Sequence, residues 1–263
     1  MSESTTAIVK VQRFESGDMS EADEKVITES RVTVFLNGRE IVRLLCLPDL
    51  VEELTAGFLC SECLIQKRDD IGEIVFNPRS MSVEVRLAGD REVQLSEAIR
   101  SITTGCGHGV TYVSPMNSPW FPPITATVKV TSDQVISTMR RIQKHSVLFH
   151  ETGGVHSALA ANAGEIGFAA DDIGRHNAVD KVIGSMLRAG RTAAEFPILA
   201  LTGRVSSEII TKAVRGRFPI LISPSAVTSG AIQLGEALGV TVIGFARGQR
   251  FNVYSHPSRV VKS

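Results

Sequence analysis

Alternating apolar and polar residues predict that the first half of the chain forms a β-rich lobe. Two alternating runs flank the Asn37-Gly38 pair, and such a pair between such runs is the strongest short-range signal for a hairpin. The apolar residues that follow keep helical spacing, and Asp49 is placed to cap this helix. The predicted elements are a hairpin over 31–45, a helix over 48–59 and strands over 73–76 and 81–87.

In the second half, the pattern changes to strands that alternate with helices. An apolar stripe predicts a first helix that starts at Ser132-Asp133 and ends near His145. From Gly154 onward, the succession of elements predicts a mostly parallel sheet covered by helices, so the fold class is α/β, or α+β for the whole chain. The predicted strands are 155–161, 165–170, 197–201, 219–222 and 240–245. One predicted helix starts at residue 173, and two others span 207–215 and 229–238.

Changes in composition divide the chain into three parts. Residues 1–24 are rich in Ser, Thr, Glu and Asp without a sustained period, so we predict a mobile tail that carries no evident chemistry. Prolines at 115, 119, 122 and 123 mark a boundary between two lobes. We therefore expect a tail over 1–24, a β-rich α+β lobe over 25–123 and an α/β lobe over 124–263.

Charge and hydropathy exclude several classes of protein. Lys and Arg together number 28, as do Asp and Glu, so the chain has no global field that would attract nucleic acid or an anionic membrane. No apolar run approaches the roughly 18 residues of a membrane span, and the first residues do not resemble a signal peptide. Four cysteines do not form a disulfide framework in a chain of this size. We expect a cytoplasmic protein that binds neither nucleic acid nor membrane.

Cys106 is the cysteine whose surroundings favour chemistry. It has glycine on both sides, and His108 can lower the pKa of its thiol if the two lie close together. A surface turn that contains a cysteine by chance remains the alternative. Cys60 and Cys63 form a C-x-x-C pair, but Cys60 continues the apolar pattern of the predicted helix, so we interpret both as structural thiols.

Unusual polar density follows four of the predicted strands, where ligands bind in a sheet of this kind. The four segments are 171–181, 202–208, 223–230 and 245–250. Three of them contain arginine, and three open helices, whose N-termini offer free N–H groups to anions. Together they predict a pocket for a nucleotide or another polyphosphate, with Arg175, Arg204, Arg247 and Arg250 as its charged residues.

The segment at 171–181 also carries a possible acid–base pair. His176 and Asp180 share a helix face, which would suit general acid–base chemistry. Asp172 fits a cap of the same helix better than a catalytic role. The motifs of zinc deaminases, Walker loops and dinucleotide-binding turns are absent from the sequence, so no metal ligand is assigned.

Several of these segments together resemble the FdhD/NarQ family of formate dehydrogenase accessory proteins. The resemblance extends from about residue 33 to residue 254, and its most specific part is the Asp-Ile-Gly-Arg-His-Asn block that begins at Asp172. The matching segments are 149–156, 172–181, 202–208, 244–247 and 251–254.

The resemblance implies a homodimeric cytoplasmic carrier of the sulfurtransferase type. Such a carrier takes persulfide sulfur from a cysteine desulfurase and passes it to the molybdenum cofactor, bis-molybdopterin guanine dinucleotide, which then enters formate dehydrogenase. The resemblance also implies a second lobe similar to cytidine deaminases without their zinc, and a guanine nucleotide is the natural mimic of the cofactor. Cys106 matches the persulfide-forming cysteine. The cofactor-binding residues implied or expected are Phe245, Ala246, Arg247, Gly248, Gln249, Arg250, Arg175, His176 and Arg204.

One departure from the family pattern keeps other functions open. Many members carry Cys-x-x-Cys in the Cys106 loop, whereas this chain has Gly109 at the second position, so internal disulfide formation cannot release the sulfur. A chaperone that shelters the cofactor without carrying sulfur is one alternative. A nucleotide hydrolase of deaminase-like fold that uses His176 and a metal is the other.

Overall fold

A computed structural model of the protein describes residues 4–89 and 122–263. Within these two ranges, no helix is both long enough and apolar enough to cross a membrane. The elements in chain order are β1 Thr6–Glu15, β2 Asp18–Ile27, β3 Ser30–Leu36, β4 Arg39–Cys46, α1 Val51–Ser61, β5 Ile71–Asn77, β6 Ser82–Leu87, β7 Val130–Thr131, α2 Ser132–His145, α3 Val147–Thr152, β8 His156–Ala161, β9 Ile166–Asp172, α4 Arg175–Arg188, β10 Ile198–Leu201, α5 Ser207–Arg215, β11 Ile220–Ile222, α6 Ser229–Leu238, β12 Thr241–Arg247, β13 Arg250–Val253 and β14 Val260–Val261.

The Asn37-Gly38 pair turns the chain between β3 and β4, as predicted. Both residues have positive φ, 49° and 77°, which a two-residue hairpin turn of this kind requires. The sheet of the first lobe has the order β4-β3-β6-β5, with β3 parallel to β6. Val32 and Leu36 on β3 share a hydrophobic cluster with Leu54 on α1. The predicted hairpin, helix and two further strands are therefore confirmed.

The second lobe is built on a six-stranded sheet in the order β13-β12-β11-β10-β8-β9. Strands β10, β11 and β12 are parallel neighbours, and the other pairs are antiparallel. The α/β class is confirmed, although the parallel part is smaller than expected. Short turns join β8 to β9 and β12 to β13, and a short turn can join only antiparallel strands. Helix α2 covers one face of the sheet, and α4, α5 and α6 cover the other.

The mobile tail predicted for residues 1–24 is wrong from Thr6 onward. Strands β1 and β2 pair along their full length as a two-stranded ribbon, which we call the arm, residues 6–27. Cross-strand ion pairs join Lys10 to Asp23 at 2.9 Å and Arg13 to Glu24. Most arm residues are exposed on both faces, so no face is consistently apolar. The period of two that marks a half-buried strand is therefore missing from the sequence.

Helices α1 and α4 pack closely enough to join the two lobes through one hydrophobic core. A Cβ atom on Gly57 of α1 would lie 1.8 Å from the carbonyl oxygen of Asp180, and a Cβ on Gly184 of α4 would lie 1.8 Å from that of Glu53. No side chain fits at either distance. Glycine at both positions therefore sets the distance between the two helices.

A fully buried lysine adds an ionic contact between the lobes. Lys181 Nζ lies 2.9 Å from Asp172 Oδ2 and 2.5 Å from Asp49 Oδ1, and it donates to the Leu47 carbonyl at 3.2 Å. Burial lowers the pKa of Lys181, but the two carboxylates outweigh burial and raise this pKa overall. The predicted cap by Asp49 is wrong, because Asp49 faces Lys181 and Leu50 occupies the N-cap position of α1.

We expect Gly57→Ala to destabilise the protein by about 3 kcal/mol or more, because the added methyl group must push α1 away from the α4 backbone. Urea unfolding measures the loss. Gly164→Ala is the matched control, since its new Cβ would meet only Asn162 Oδ1 at an ordinary 3.7 Å. Equal stability of the two variants would contradict the close helix contact.

Candidate functional site

The strand register brings all four predicted polar segments to one edge of the second sheet. Strands β10, β11 and β12 are aligned through Ala200, Ile222 and Ile243, so their carboxyl ends lie side by side. Strand β8 is antiparallel to β10, and His156 at its start pairs with Asp172 at the end of β9. We call this surface the polar edge. It comprises His156 and residues 171–176, 202–208, 223–228 and 245–250.

Hydrogen bonds join the segments of the polar edge to one another. Ser225 Oγ donates to the carbonyl of Thr202 at 3.3 Å, and the Ser225 carbonyl accepts from the N–H of Phe245 at 3.0 Å. Ser223 Oγ donates to the carbonyl of Gly203 at 2.6 Å. Thr202 Oγ1 lies 3.3 Å from His156 Nδ1. These contacts position a row of polar groups before any ligand arrives.

Positive charge is concentrated on this edge. Arg204, Arg247 and Arg250 are exposed, and within residues 4–89 and 122–263 none of the three forms an ion pair. Arg175 is half-buried, and its side chain lies on Gly203, where a Cβ would come within 2.8 Å of Arg175 Cδ. With neighbouring strands about 4.8 Å apart, the start of β8 and the end of β12 are about 14 Å apart along this edge. The edge therefore presents an extended basic surface.

The segment 245–250 has an unusual backbone. The pairing of β12 with β13 shifts register between Gly244 and Arg247, and Phe245 adopts a left-handed φ of 49° although it is not glycine. Gly248 also has positive φ, at 59°. Bulges redirect side chains, and strained residues of this kind cluster at binding sites. Phe245 is exposed at this bulge, beside the exposed Arg247.

His176 meets an acidic residue that the sequence analysis did not identify. Its Nε2 lies 3.3 Å from Glu208 Oε2, and both atoms are buried without a hydrogen bond among the described residues. Burial, followed by the charges of Lys212 and Arg175, lowers the pKa of His176 to about 3. Burial likewise raises the pKa of Glu208. The histidine is therefore neutral near pH 7 and offers hydrogen bonds rather than charge.

The predicted acid–base pair of His176 and Asp180 is wrong. Asp180 is buried and accepts from Lys212 Nζ at 2.6 and 2.8 Å and from Ser61 Oγ at 2.6 Å. These contacts face the lobe interface and not the polar edge. The predicted cap of α4 by Asp172 is wrong, because Gly174 is the N-cap residue and no side chain caps it. Asp172 is nevertheless structural, since its Oδ1 accepts from the N–H of Gly174 and its Oδ2 pairs with Lys181.

Comparisons with known proteins identify the family. The sequence profile described as the FdhD/NarQ family matches residues 27–261. The chain belongs to the FdhD/NarQ family. It is 35% identical over 261 residues to the sulfur carrier protein FdhD of Bacillus subtilis, with 99% of each chain covered. Identity to the same-named protein of Listeria innocua is also 35%, over 255 residues that cover 95% of this chain and 97% of that one.

A crystal structure from Desulfotalea psychrophila, described as a formate dehydrogenase accessory protein, has the same fold as this FdhD/NarQ member. It matches with a TM-score of 0.81 at 28% identity and covers 98% of this chain and 100% of the other. The resemblance inferred from the sequence motifs is therefore confirmed. The roles of single residues remain predictions.

The cysteines of this FdhD/NarQ member differ in environment. Cys106 lies outside the described residues, as do His108 and Gly109. Cys46 and Cys60 are buried, and burial raises the pKa of each thiol to about 12, which leaves them protonated. Cys63 is only half-buried, so the structural interpretation of the C-x-x-C pair holds for Cys60 and is weaker for Cys63. In residues 4–89 and 122–263, no group of three or more His, Cys, Asp or Glu residues is placed to bind a metal.

We expect His176→Gln to reduce the dependence of stability on acid pH. The lowered pKa means that the unfolded chain, with a histidine pKa of about 6.5, binds a proton that the folded chain does not. Stability contributed by neutral His176 is present above about pH 6.5 and is lost as the pH falls towards the folded pKa.

Urea unfolding at a series of pH values between about 6.5 and 4 measures the slope of the free energy of unfolding against pH. The variant should show a shallower slope than the wild type. His145→Gln, at an exposed position on α2, is the control and should keep the wild-type slope. If the slope of His176→Gln were also unchanged, His176 would not be a buried neutral group.

Proposed function

We propose that the protein is a sulfur carrier that accepts persulfide sulfur from a cysteine desulfurase on Cys106 and transfers it to bis-molybdopterin guanine dinucleotide for formate dehydrogenase. Two relatives named sulfur carrier protein FdhD and a structural neighbour described as a formate dehydrogenase accessory protein support this role. We further propose that the carrier is a cytoplasmic homodimer.

Loading of the carrier needs only thiol chemistry. The Cys106 thiolate attacks the outer sulfur of the desulfurase persulfide, a new S–S bond forms on Cys106, and the desulfurase cysteine leaves as a thiolate. Sulfur moves without net oxidation. Cys46 and Cys60 cannot compete for this role, because burial keeps both thiols protonated. The glycines on both sides of Cys106 favour its presentation to a partner protein.

The observation that carries the cofactor part of the proposal is the convergence of four polar segments on one sheet edge. Arg175, Arg204, Arg247 and Arg250 supply guanidinium groups for charge-assisted hydrogen bonds to phosphates. The N-termini of α4, α5 and α6 follow the strand ends at the same edge, and no side chain caps α4 or α5, so the N–H groups of their first turns can bind an anion. The arginines and helix N-termini are spread along the edge, which suits an extended dinucleotide rather than a single phosphate.

The neutral His176 and the nearby Glu208 complement this charge. A site made only of arginines would bind any polyanion, whereas a neutral imidazole and a carboxylate offer directional hydrogen bonds to uncharged parts of a ligand. We assign to these residues the orientation of the cofactor, and to the arginines most of the affinity.

We expect wild-type protein to gain one sulfur atom on Cys106 when it is incubated with a cysteine desulfurase and cysteine. Intact mass followed by peptide mapping measures the gain. Cys106→Ser should gain none, and Cys63→Ser is the control that should gain as much as the wild type, since it replaces the half-exposed thiol outside the proposed site.

Sulfur on Cys106→Ser, or none on the wild type, would contradict the carrier role. The cofactor chaperone suggested by Gly109 would then be favoured, and it predicts that Cys106→Ser still supports active formate dehydrogenase in cells.

We expect the double variant Arg247→Ala/Arg250→Ala to bind guanosine diphosphate at least about tenfold more weakly than the wild type, because each lost charge-assisted hydrogen bond contributes about 1.5–3 kcal/mol. Isothermal titration calorimetry at two salt concentrations measures the affinity and its salt dependence, and the salt dependence should also decrease. Arg79→Ala, an exposed arginine in the first lobe, is the matched control. If the double variant and Arg79→Ala bound guanosine diphosphate with equal affinity, the phosphates would not bind at Arg247 and Arg250.

A further inference from the structure

The arm and α3 carry most of the exposed large apolar side chains of the described residues. Of ten such side chains, six belong to these two elements. Phe14 is 68% exposed, Met19 and Ile8 are each 62% exposed, and Val147 on α3 is 64% exposed. Monomeric proteins rarely leave apolar groups concentrated in this way, and such patches mark interaction sites.

The arm and α3 form one continuous surface. Lys25 of β2 forms an ion pair with Glu151 of α3 at 3.1 Å. Ile27 packs directly on Gly154, where a Cβ would lie 2.7 Å from Ile27 Cγ1. Gly154 lies two residues before His156, so the base of the arm is next to the polar edge. The arm and the candidate cofactor site therefore share one side of the molecule.

The arm is also incomplete as a β-structure. Its two ten-residue strands pair only with each other, and neither outer edge pairs with another strand in residues 4–89 and 122–263. An isolated two-stranded ribbon is marginally stable in water, and open strand edges readily accept a partner. The strands and the six-residue α3 together approach the about 20–30 residues that each side of a standard interface contributes.

Charge indicates which partner fits the arm. It contains three basic and five acidic residues, while the whole chain has 28 of each, so the remainder of the same chain carries the opposite excess. At the arm tip, the acidic pair Glu15 and Asp18 lies next to the apolar pair Phe14 and Met19. The polar edge has the opposite character, because the exposed Phe245 lies among exposed arginines that form no ion pair with any described residue. A second copy offers both surfaces reciprocally, as a twofold dimer requires.

We propose that the arm and α3 form the interface with a second copy of this chain, and that the tip of each arm lies on the polar edge of the other copy. An arm of ten residues per strand reaches about 33 Å, which is enough to cross between subunits. This interface supplies the contact for the homodimer proposed above, and it is independent of sulfur transfer. Each cofactor site would then be bordered by residues of both copies.

Sedimentation equilibrium of the full-length chain tests the apolar part of the interface. The wild type should be a dimer, and Phe14→Glu/Met19→Glu should raise the dissociation constant at least about tenfold, because truncating or charging anchor residues removes most of the binding energy. Val75→Glu, on the exposed face of β5, is the matched control and should dimerise like the wild type. Far-ultraviolet circular dichroism should be the same for both variants and show that each subunit still folds, since all three positions are exposed.

A charge swap tests where the tip lies. Glu15→Arg/Asp18→Arg should weaken the dimer, Arg247→Glu/Arg250→Glu should weaken it as well, and a mixture of the two variants should restore it. A monomeric wild type would overturn the inference and assign the arm to a different protein. A wild-type dimer that Phe14→Glu/Met19→Glu leaves unchanged would overturn the arm interface while leaving a homodimer. Failure of the mixture to recover would overturn the contact between tip and polar edge.

Discussion

The contact between α1 and α4 is the interaction on which the rest of the structure depends. Gly57 and Gly184 bring the two helices into backbone contact, and Lys181 is fully buried between Asp49 and Asp172. Removing one partner of a buried ion pair typically costs about 3–5 kcal/mol, against a total stability of about 5–15 kcal/mol for a domain. Loss of Lys181 or of one of its carboxylate partners would therefore remove a large part of the free energy of unfolding. Because these contacts join the two lobes, we expect the lobes to unfold together.

This contact explains how one continuous segment of the chain serves both the candidate site and the lobe interface. The first turn of α4 places Arg175 and His176 at the polar edge. Further along the same helix, Asn177 donates to the Leu45 carbonyl at 2.8 Å, and Lys181 reaches across the lobe interface. One helix thus links the candidate ligand site to the first lobe. Because α1 packs on α4, a change in the packing of α1 would alter the position of Arg175 at the start of α4.

The sequence predicted well what local patterns determine and missed what depends on packing between distant segments. The bounds of α5 and α6 agree with prediction, because apolar spacing defines both helices locally and the Thr228 side chain caps α6. The arm was missed because no face of it is buried. Asp180 was assigned to chemistry because nothing in its neighbourhood reveals that Lys212 and the first lobe pack against it. Glu208 was missed because only the fold brings its helix next to His176.

For the proposed transfer, sulfur carried on Cys106 must meet a cofactor bound at the polar edge. The most direct measurement is a crystal structure of the dimer with guanosine diphosphate bound and Cys106 in the persulfide form. We expect the diphosphate within hydrogen-bonding distance of Arg247 or Arg250, with the Cys106 sulfur of either subunit facing the same cleft. A diphosphate bound away from this edge, or a Cys106 sulfur sealed in the interior, would contradict the proposed transfer.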